Sequence, residues 1–505
     1  MKVILLVIDG WGIGELDKNG KPDKFDAIAN ADTPNIDRLI REYPNTRLKT
    51  DGESVGLPEG QFGTSEVNHL TIGAGRVILQ DLPKINKAIA DGRMRENKAI
   101  IEAIEQGKQG GGLHFTGVLS DGGVHAHIDH TFALIELARE LAPETPIYAH
   151  AFADGRDVSP KSAGKYLDKL QKTLDKVGNA AVATLQGRYL LDRDRDWEKT
   201  DQAYAAITKG EGIKVSNYEA ALNMGYSQVN SDEYLPSFIL DEKGLIKSNH
   251  GIIFTHYRTD RLYQLAHKIL NSELENISLC SFVSPGENFK QLKVAFPREQ
   301  VSDTLPEVIA EAGLRQMHIT ETEKFPHVTY FFSGENEKEL PGEVWEKIES
   351  NRFVKPRYNF DPDMQNFPIA QRIIEATEGD KFDFILANFS SPDMVGHTGN
   401  YEAAVVSAEA VDYCVGKIYE ALKPKLNEYA LIVTADHGNS EQMWDYEANQ
   451  PHTQHTTNKV PFILASGIDS AKLARRESLE DIAPTILELL GLEKPAIMTG
   501  ESLLE

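Results

Sequence analysis

Residues 2–10, KVILLVIDG, form an unbroken apolar run that stops at Asp9. A run without polar alternation fits a strand buried on both faces, as in parallel sheets covered by helices. The pattern returns at residues 113–119, 146–152, 181–185, 251–257, 382–389 and 429–435. Amphipathic stretches lie between these runs. Asp32-Thr33-Pro34-Asn35 predicts a helix start, with a capping residue ahead of Pro at the first helical position. Residues 478–492 carry apolar side chains at helical spacing. Strands alternating with helices predict an α/β fold built on parallel sheets.

The chain has 505 residues, and at about 150 residues per domain this implies two or three domains. Residues 73–76 (GAGR) and 295–298 (AFPR) read as connectors around a central block with its own strands. The expected division is 1–77 and 298–505 as one domain, with 78–297 inserted into it. Acidic residues number 77 against 53 basic, a net charge of −24. That balance argues against nucleic acid or an anionic membrane as partner, while leaving room for a local basic pocket. Two cysteines, Cys280 and Cys414, make no disulfide framework, and a cytoplasmic setting is expected. The apolar run before Asp9 is too short for a signal-peptide core. No apolar stretch approaches the ~18 residues of a membrane helix.

Ligands of parallel sheets gather at the carboxyl ends of strands. The run at 2–10 ends in Asp9, and the run at 382–389 leads into Asp393 and His397. The run at 429–435 ends in Asp436-His437, with His452 and His455 shortly after. Mixed carboxylate and imidazole donors suit Mn²⁺, Zn²⁺ or a similar ion. Asp393 and His397 are one helical turn apart and would share a face. So many donors exceed the needs of one ion, and two ions flanking a phosphate-sized gap is the economical reading. A lone aspartate after a strand is more often a cap or turn residue; the conjunction at three strand ends favours metal. Gly60 to His69, GQFGTSEVNH, runs from glycine-rich backbone into a helix. Ser65 or Thr64 is a plain helix cap on one reading. Beside a divalent metal, Ser65 becomes a candidate nucleophile.

The central block ends its strands differently. His125, Arg156 and Asp157, Arg188 and Arg193, and Arg258 and Arg261 follow successive apolar runs. Converging guanidinium groups offer planar bidentate donors to phosphate and carboxylate. A single such arginine is usually a surface ion pair of little worth; the set reads as a clamp for a small polyanion.

These motifs, together with ETEKFPHVTYFFSG, SPDMVGHTG, TADHGNSEQM and HTQHTTNKVPF, resemble the cofactor-independent (2,3-bisphosphoglycerate-independent) phosphoglycerate mutases over nearly the whole chain. The resemblance implies an alkaline-phosphatase-like domain with an inserted phosphotransferase domain. It implies a monomer with two Mn²⁺ ions (Mg²⁺, Co²⁺ or Zn²⁺ in some members), and no 2,3-bisphosphoglycerate. Asp393, His397 and His455 would hold one ion; Asp9, Ser65, Asp436 and His437 would hold the other. His455 is favoured over His452. Ser65 would be the nucleophile and pass through phosphoserine. His125, Arg156, Asp157, Arg188, Arg193, Arg258, Arg261 and Lys324 would bind substrate. Asp157 would serve as acid and base, and Lys324 would offset charge on the transferring group. Closure of the two domains would keep water out. The sequence departs from the family pattern at Thr64, usually Asn, and at Asn68, usually Gly; HYRTDR replaces NFRPDR but keeps both arginines. The expected reaction is interconversion of 3-phosphoglycerate and 2-phosphoglycerate. The rivals are another dimetal hydrolase or mutase and a catalytically silent metal-binding protein.

Overall fold

The computed structural model describes residues 1–286, 288–298, 300–468 and 472–505. Its contacts divide into two units, one of Met1–Gln80 with Gln300–Glu505 and one of Asp81–Glu299. In chain order the first unit opens with β1 (Lys2–Ile8) and β2 (Asn45–Leu48). The second contributes β3 (Leu113–Leu119), β4 (Ile147–Ala153), β5 (Ala180–Gly187), β6 (Ile213–Lys214), β7 (Phe238–Ile239), β8 (Gly251–Phe254), β9 (Ser278–Ser281) and β10 (Lys293–Val294). The first unit resumes with β11 (Gln316–Glu321), β12 (Glu343–Ile348), β13 (Phe384–Phe389) and β14 (Tyr429–Thr434). It ends with a small ribbon, β15 (Trp444–Asp445) and β16 (Gln450–Pro451), and β17 (Val460–Ala465). Each expected apolar run contains a strand.

The first unit's sheet runs β12-β11-β13-β1-β14-β17-β2. Its first five strands are mutually parallel, and β17 is antiparallel to both β14 and β2. Residues Val3 to Ile8 of β1, at its centre, are all buried, as a continuous apolar strand requires. Because β11, β13, β1 and β14 are parallel neighbours, their carboxyl ends open along one edge. The second unit's sheet runs β10-β9-β8-β3-β4-β5-β7-β6, parallel from β10 to β5. There β8, β3, β4 and β5 stand side by side, so the segments after them share an edge.

Two local expectations need correction. GAGR is not a connector throughout: Gly73 and Ala74 complete the helix Ser65–Ala74, and Gly75 caps it in the left-handed region at φ 58°. Gly73 is needed there, since a Cβ would lie 1.9 Å from the carbonyl oxygen of Phe332. The helix Pro34–Glu42 does begin with Pro at its first turn, but Thr33 makes no side-chain cap bond. Asp412 serves instead, accepting from the Asn35 and Ile36 backbone N–H at 3.2 and 2.7 Å. A carboxylate distant in sequence thus satisfies the orphan donors.

Candidate metal centre and anion cluster

Asp9 lies one residue past β1, Asp393 sits in the short helix Ser391–Gly396 after β13, and Asp436 and His437 follow β14. Lys324 ends a single turn, Thr322–Lys324, directly after β11. Four adjacent parallel strands therefore deliver these side chains to one place. Ser65 arrives on the helix Ser65–Ala74. Thr64 takes the capping role, accepting from the Val67 N–H at 3.5 Å, so the Ser65 hydroxyl is not spent on the cap.

Lys324 Nζ spends all three hydrogens here. It donates to Asp9 Oδ1 at 2.7 Å, Ser65 Oγ at 2.8 Å and Asp393 Oδ2 at 2.7 Å. Ser65 Oγ is also 3.0 Å from His437 Nε2 and 3.4 Å from Asp9 Oδ1. Burial would lower the Lys324 pKa, but Asp393, Asp9 and Asp436 overcome that and hold it well above its ordinary value. Burial likewise opposes ionisation of Asp393 and Asp436. Lys324, His397 and His455 nonetheless hold Asp393 far below the usual carboxylate range, and His437, His69 and Lys324 do the same for Asp436.

Three sets of donor atoms converge among the described residues: Asp393, His397 and His455; Asp9, His69 and Asp436; and Asp9, Asp393 and His437. The first set fits an ion closely. Asp393 Oδ1 is 3.2 Å from His397 Nε2 and 3.3 Å from His455 Nε2, and the two Nε2 atoms are 3.2 Å apart. Ligands about 2.1 Å from one ion stand about 3 Å from each other. His397 Nδ1 meets the Thr453 carbonyl and His455 Nδ1 the Gly63 carbonyl, both at 2.7 Å. A carbonyl only accepts, so each Nδ1 carries a hydrogen, and a neutral ring so held offers its Nε2 lone pair inward to a cation. Burial opposes protonation of both rings, but Asp393 raises their pKa, so this spot attracts positive charge. Around Ser65 the charge count points the same way: three buried aspartates face one lysine, and Asp436 Oδ2 has no hydrogen-bond partner. The residues fit a pair of divalent ions. His452 lies outside all three sets.

In the second unit, the expected anion residues stand after β3, β4, β5 and β8. Arg188 is 1% exposed and its guanidinium bridges Asp154 and Asp157, the latter at 2.6 Å. Arg261 is also buried and donates to the carbonyls of Arg188 and Leu191 at 3.2 and 2.7 Å. Arg258 and Arg193 reach Asp260 at 3.2 and 3.6 Å, and Arg156 reaches Glu233 at 3.4 Å. His125 lies 3.6 Å from Asp157. Burial and the charges of Arg188, Arg258 and Arg261 push the His125 pKa down to about 2, so it is neutral at any ordinary pH. The structure gathers all these residues in the second unit, with acidic partners that the strand-end reading left out. Arg188 and Arg261 are locked in place, whereas the Arg156 and Arg258 side chains are half exposed, each beside one carboxylate.

A model described as the Metalloenzyme superfamily matches residues 1–494. A 2,3-bisphosphoglycerate-independent phosphoglycerate mutase of Clostridium botulinum is 41% identical over 517 residues, covering 100% of this chain and 99% of the relative. The chain belongs to the 2,3-bisphosphoglycerate-independent phosphoglycerate mutase family. A family member from Clostridioides difficile is 42% identical, with 99% of each chain covered. A solved phosphoglycerate mutase from Leishmania mexicana, studied at low cobalt concentration, superposes with a TM-score of 0.60 at 28% identity, covering 100% of this chain and 97% of that one. Members of this family are isomerases, and the chain is a metal-dependent enzyme of that class.

Sequence reasoning passed over three residues of this family member's centre. His69 Nδ1 donates to the Ser65 carbonyl at 2.9 Å, and its Nε2 faces Asn388 Nδ2 at 3.3 Å. Both ring nitrogens are therefore engaged, and His69 ties the helix Ser65–Ala74 to β13. Its signal was the four-residue spacing from Ser65. Asn388 also donates to Asp9 Oδ2 at 2.8 Å; a polar residue inside the apolar run FILANF marked it. Asn439 Nδ2 donates to Asp393 Oδ1 at 2.9 Å. The family departure at Asn68 has a structural use: its Nδ2 donates to the carbonyls of Thr50 and Asp436 at 3.0 and 2.7 Å, tying the helix Ser65–Ala74 to the loop after β14.

Proposed function

We propose that the chain interconverts 3-phosphoglycerate and 2-phosphoglycerate through a phosphoserine at Ser65. The observation that carries this reading is the Ser65 hydroxyl, buried within hydrogen-bond distance of both Lys324 and His437. Asp393, His397 and His455 would hold one ion, and Asp9, Ser65, Asp436 and His437 the other. Mn²⁺ is the proposed metal, Mg²⁺, Co²⁺ and Zn²⁺ being alternatives of the same coordination chemistry. Such ions, when bound, lower the serine pKa and offset charge on the phosphoryl group.

The chain's own residues account for the rest. Ser65 Oγ, its proton released to solvent as ions would bind, attacks phosphorus in line as an alkoxide; its bond to phosphorus forms as the bond to the glycerate oxygen breaks, and the return step regenerates the alkoxide. Lys324 donates to the attacking oxygen and stabilises charge in the transition state. Asp157 is assigned to carry the proton that passes between the two glycerate hydroxyls. Arg156, Arg188, Arg193, Arg258, Arg261 and His125 are assigned to substrate binding. Bidentate guanidinium contacts to carboxylate and phosphate support that assignment.

Free, buried Cys280 and Cys414 support a reducing, cytoplasmic compartment. No helix among the described residues is long and apolar enough to cross a membrane. A monomer acting on a small phosphorylated acid completes the proposal. An assay with 3-phosphoglycerate and Mn²⁺, coupled to enolase, tests it. Conversion to 2-phosphoglycerate with almost no free phosphate is expected. Stoichiometric phosphate release would instead mark a hydrolase.

A further inference from the structure

Glu441 is buried at 2% exposure, and no step of the proposed reaction uses it. Its carboxylate accepts four hydrogen bonds. Oε2 takes the Gly12 N–H at 3.2 Å and the Asn439 N–H at 2.7 Å. Oε1 takes the Asn458 side-chain amide at 3.0 Å and the Thr456 hydroxyl. These donors belong to three separate loops, and each loop carries proposed metal ligands. Gly12 lies three residues after Asp9, Asn439 two after His437, and Thr456 directly after His455. Asn439 extends the reach to a fourth ligand through its bond to Asp393.

The chain makes room for this carboxylate on two sides. A Cβ on Gly12 would lie 2.3 Å from Glu441 Cδ, and one on Gly438 would lie 2.3 Å from Glu441 Oε1. Two glycines thus line the seat of one side chain. An ionised carboxylate is acceptor-only with about four lone-pair sites, so four donors saturate it. A fully satisfied buried network is rigid, and removing its hub leaves its donors unpaired.

We infer that Glu441 is a positioning residue, holding the loops of Asp9, His437 and His455 at the spacing that two divalent ions require. The inference rests on the dimetal reading above. It concerns metal affinity, which outer-shell hydrogen bonds set by orienting ligands.

The test is calorimetric titration of Mn²⁺ into chelator-stripped protein, comparing wild type, Glu441→Gln and Thr456→Val. Glutamine keeps the shape but presents an NH₂ to donors on one side. About 10- to 100-fold weaker Mn²⁺ binding is expected for Glu441→Gln, with kcat recovered as Mn²⁺ is raised. Thr456→Val removes one donor from the hub and is expected to weaken binding in the same direction. Should Glu441→Gln fail to fold, Thr456→Val decides. Wild-type Mn²⁺ binding with unaltered affinity in the variants would overturn the inference alone. Absence of Mn²⁺ binding by the wild type would overturn the dimetal reading and the inference with it.

Discussion

Lys324 Nζ stands 2.8 Å from Ser65 Oγ, and the same ammonium touches Asp9 and Asp393 at 2.7 Å each. One side chain thus addresses both the nucleophile and the carboxylates around it. It donates to all three groups at once. Lys324→Gln removes a buried charge from between two aspartates. We expect the stripped protein to lose about 3–5 kcal/mol, the usual cost of breaking a buried pair. Bound divalent ions offset the same charges, so urea unfolding with Mn²⁺ should show a smaller loss. Turnover should fall by about 10²–10³, the effect of losing one preorganised donor. A loss of stability unaffected by Mn²⁺ would count against the cage.

Arg188 and Arg258 separate support from recognition. Arg188 is buried between Asp154 and Asp157, while the Arg258 side chain is 45% exposed. Arg258→Ala should raise KM for 3-phosphoglycerate while leaving the thermal midpoint near wild type, since exposed ion pairs contribute about 0–1 kcal/mol. Arg188→Ala should lower the midpoint as well, because it strands two carboxylates. Equal midpoints for the two variants would contradict this division.

Asn68 makes a stability prediction. Asn68→Gly removes two bonds to backbone carbonyls worth about 0.5–1.5 kcal/mol each and places glycine inside a helix at about 1 kcal/mol. A loss of about 2–4 kcal/mol in urea is expected by that sum. Asn68→Ala keeps the helix propensity and should lose less. A neutral Asn68→Gly would mean that the tie to Asp436 carries no load.

The parallel runs made the fold legible: an apolar segment with no alternation has few homes besides a two-sided sheet, and all seven hold strands. The strand-end rule then found Asp9, Asp393, His397, Asp436 and His437. Lys324 was beyond it, since β11 reads QMHITE and is too polar to stand out as a buried strand. Only resemblance to a family reached that residue. Glu441 was hidden for another reason. Gly12, Thr456 and Asn458 bond to it from distant parts of the sequence, and spacing along a chain does not encode those partners. The acidic partners of the arginines escaped similarly, because Asp154 and Asp260 resemble ordinary turn residues until the strands align them.

The second unit should be sensitive to acid. His114, His150 and His250 form a row: His114 Nδ1 is 3.0 Å from His150 Nε2, and His114 Nε2 is 2.7 Å from His250 Nδ1. Burial pushes the pKa of His150 and of His256 down to about 3, and burial with neighbouring histidines lowers His114. Unfolded histidines take up protons below about pH 6.5, while these stay neutral in the fold. Stability is therefore intact above that pH and falls as pH drops toward 3. At pH 5 the loss is about 2 kcal/mol for each of His150 and His256. Hydrogen exchange at pH 7.5 and pH 5 should show protection lost across β3, β4 and β8, and His150→Gln should reduce the difference. Equal protection at both pH values would refute the assignment.

The central claim is that Ser65 carries the phosphoryl group between two oxygens of one substrate. Rapid quenching of Mn²⁺-loaded protein with 3-phosphoglycerate, followed by mass spectrometry of its peptides, reads this directly. The account predicts one phosphoryl group on the peptide bearing Ser65, and neither phosphopeptide nor turnover in Ser65→Ala. Turnover in Ser65→Ala, or a phosphoryl group on another residue while turnover proceeds, would contradict it.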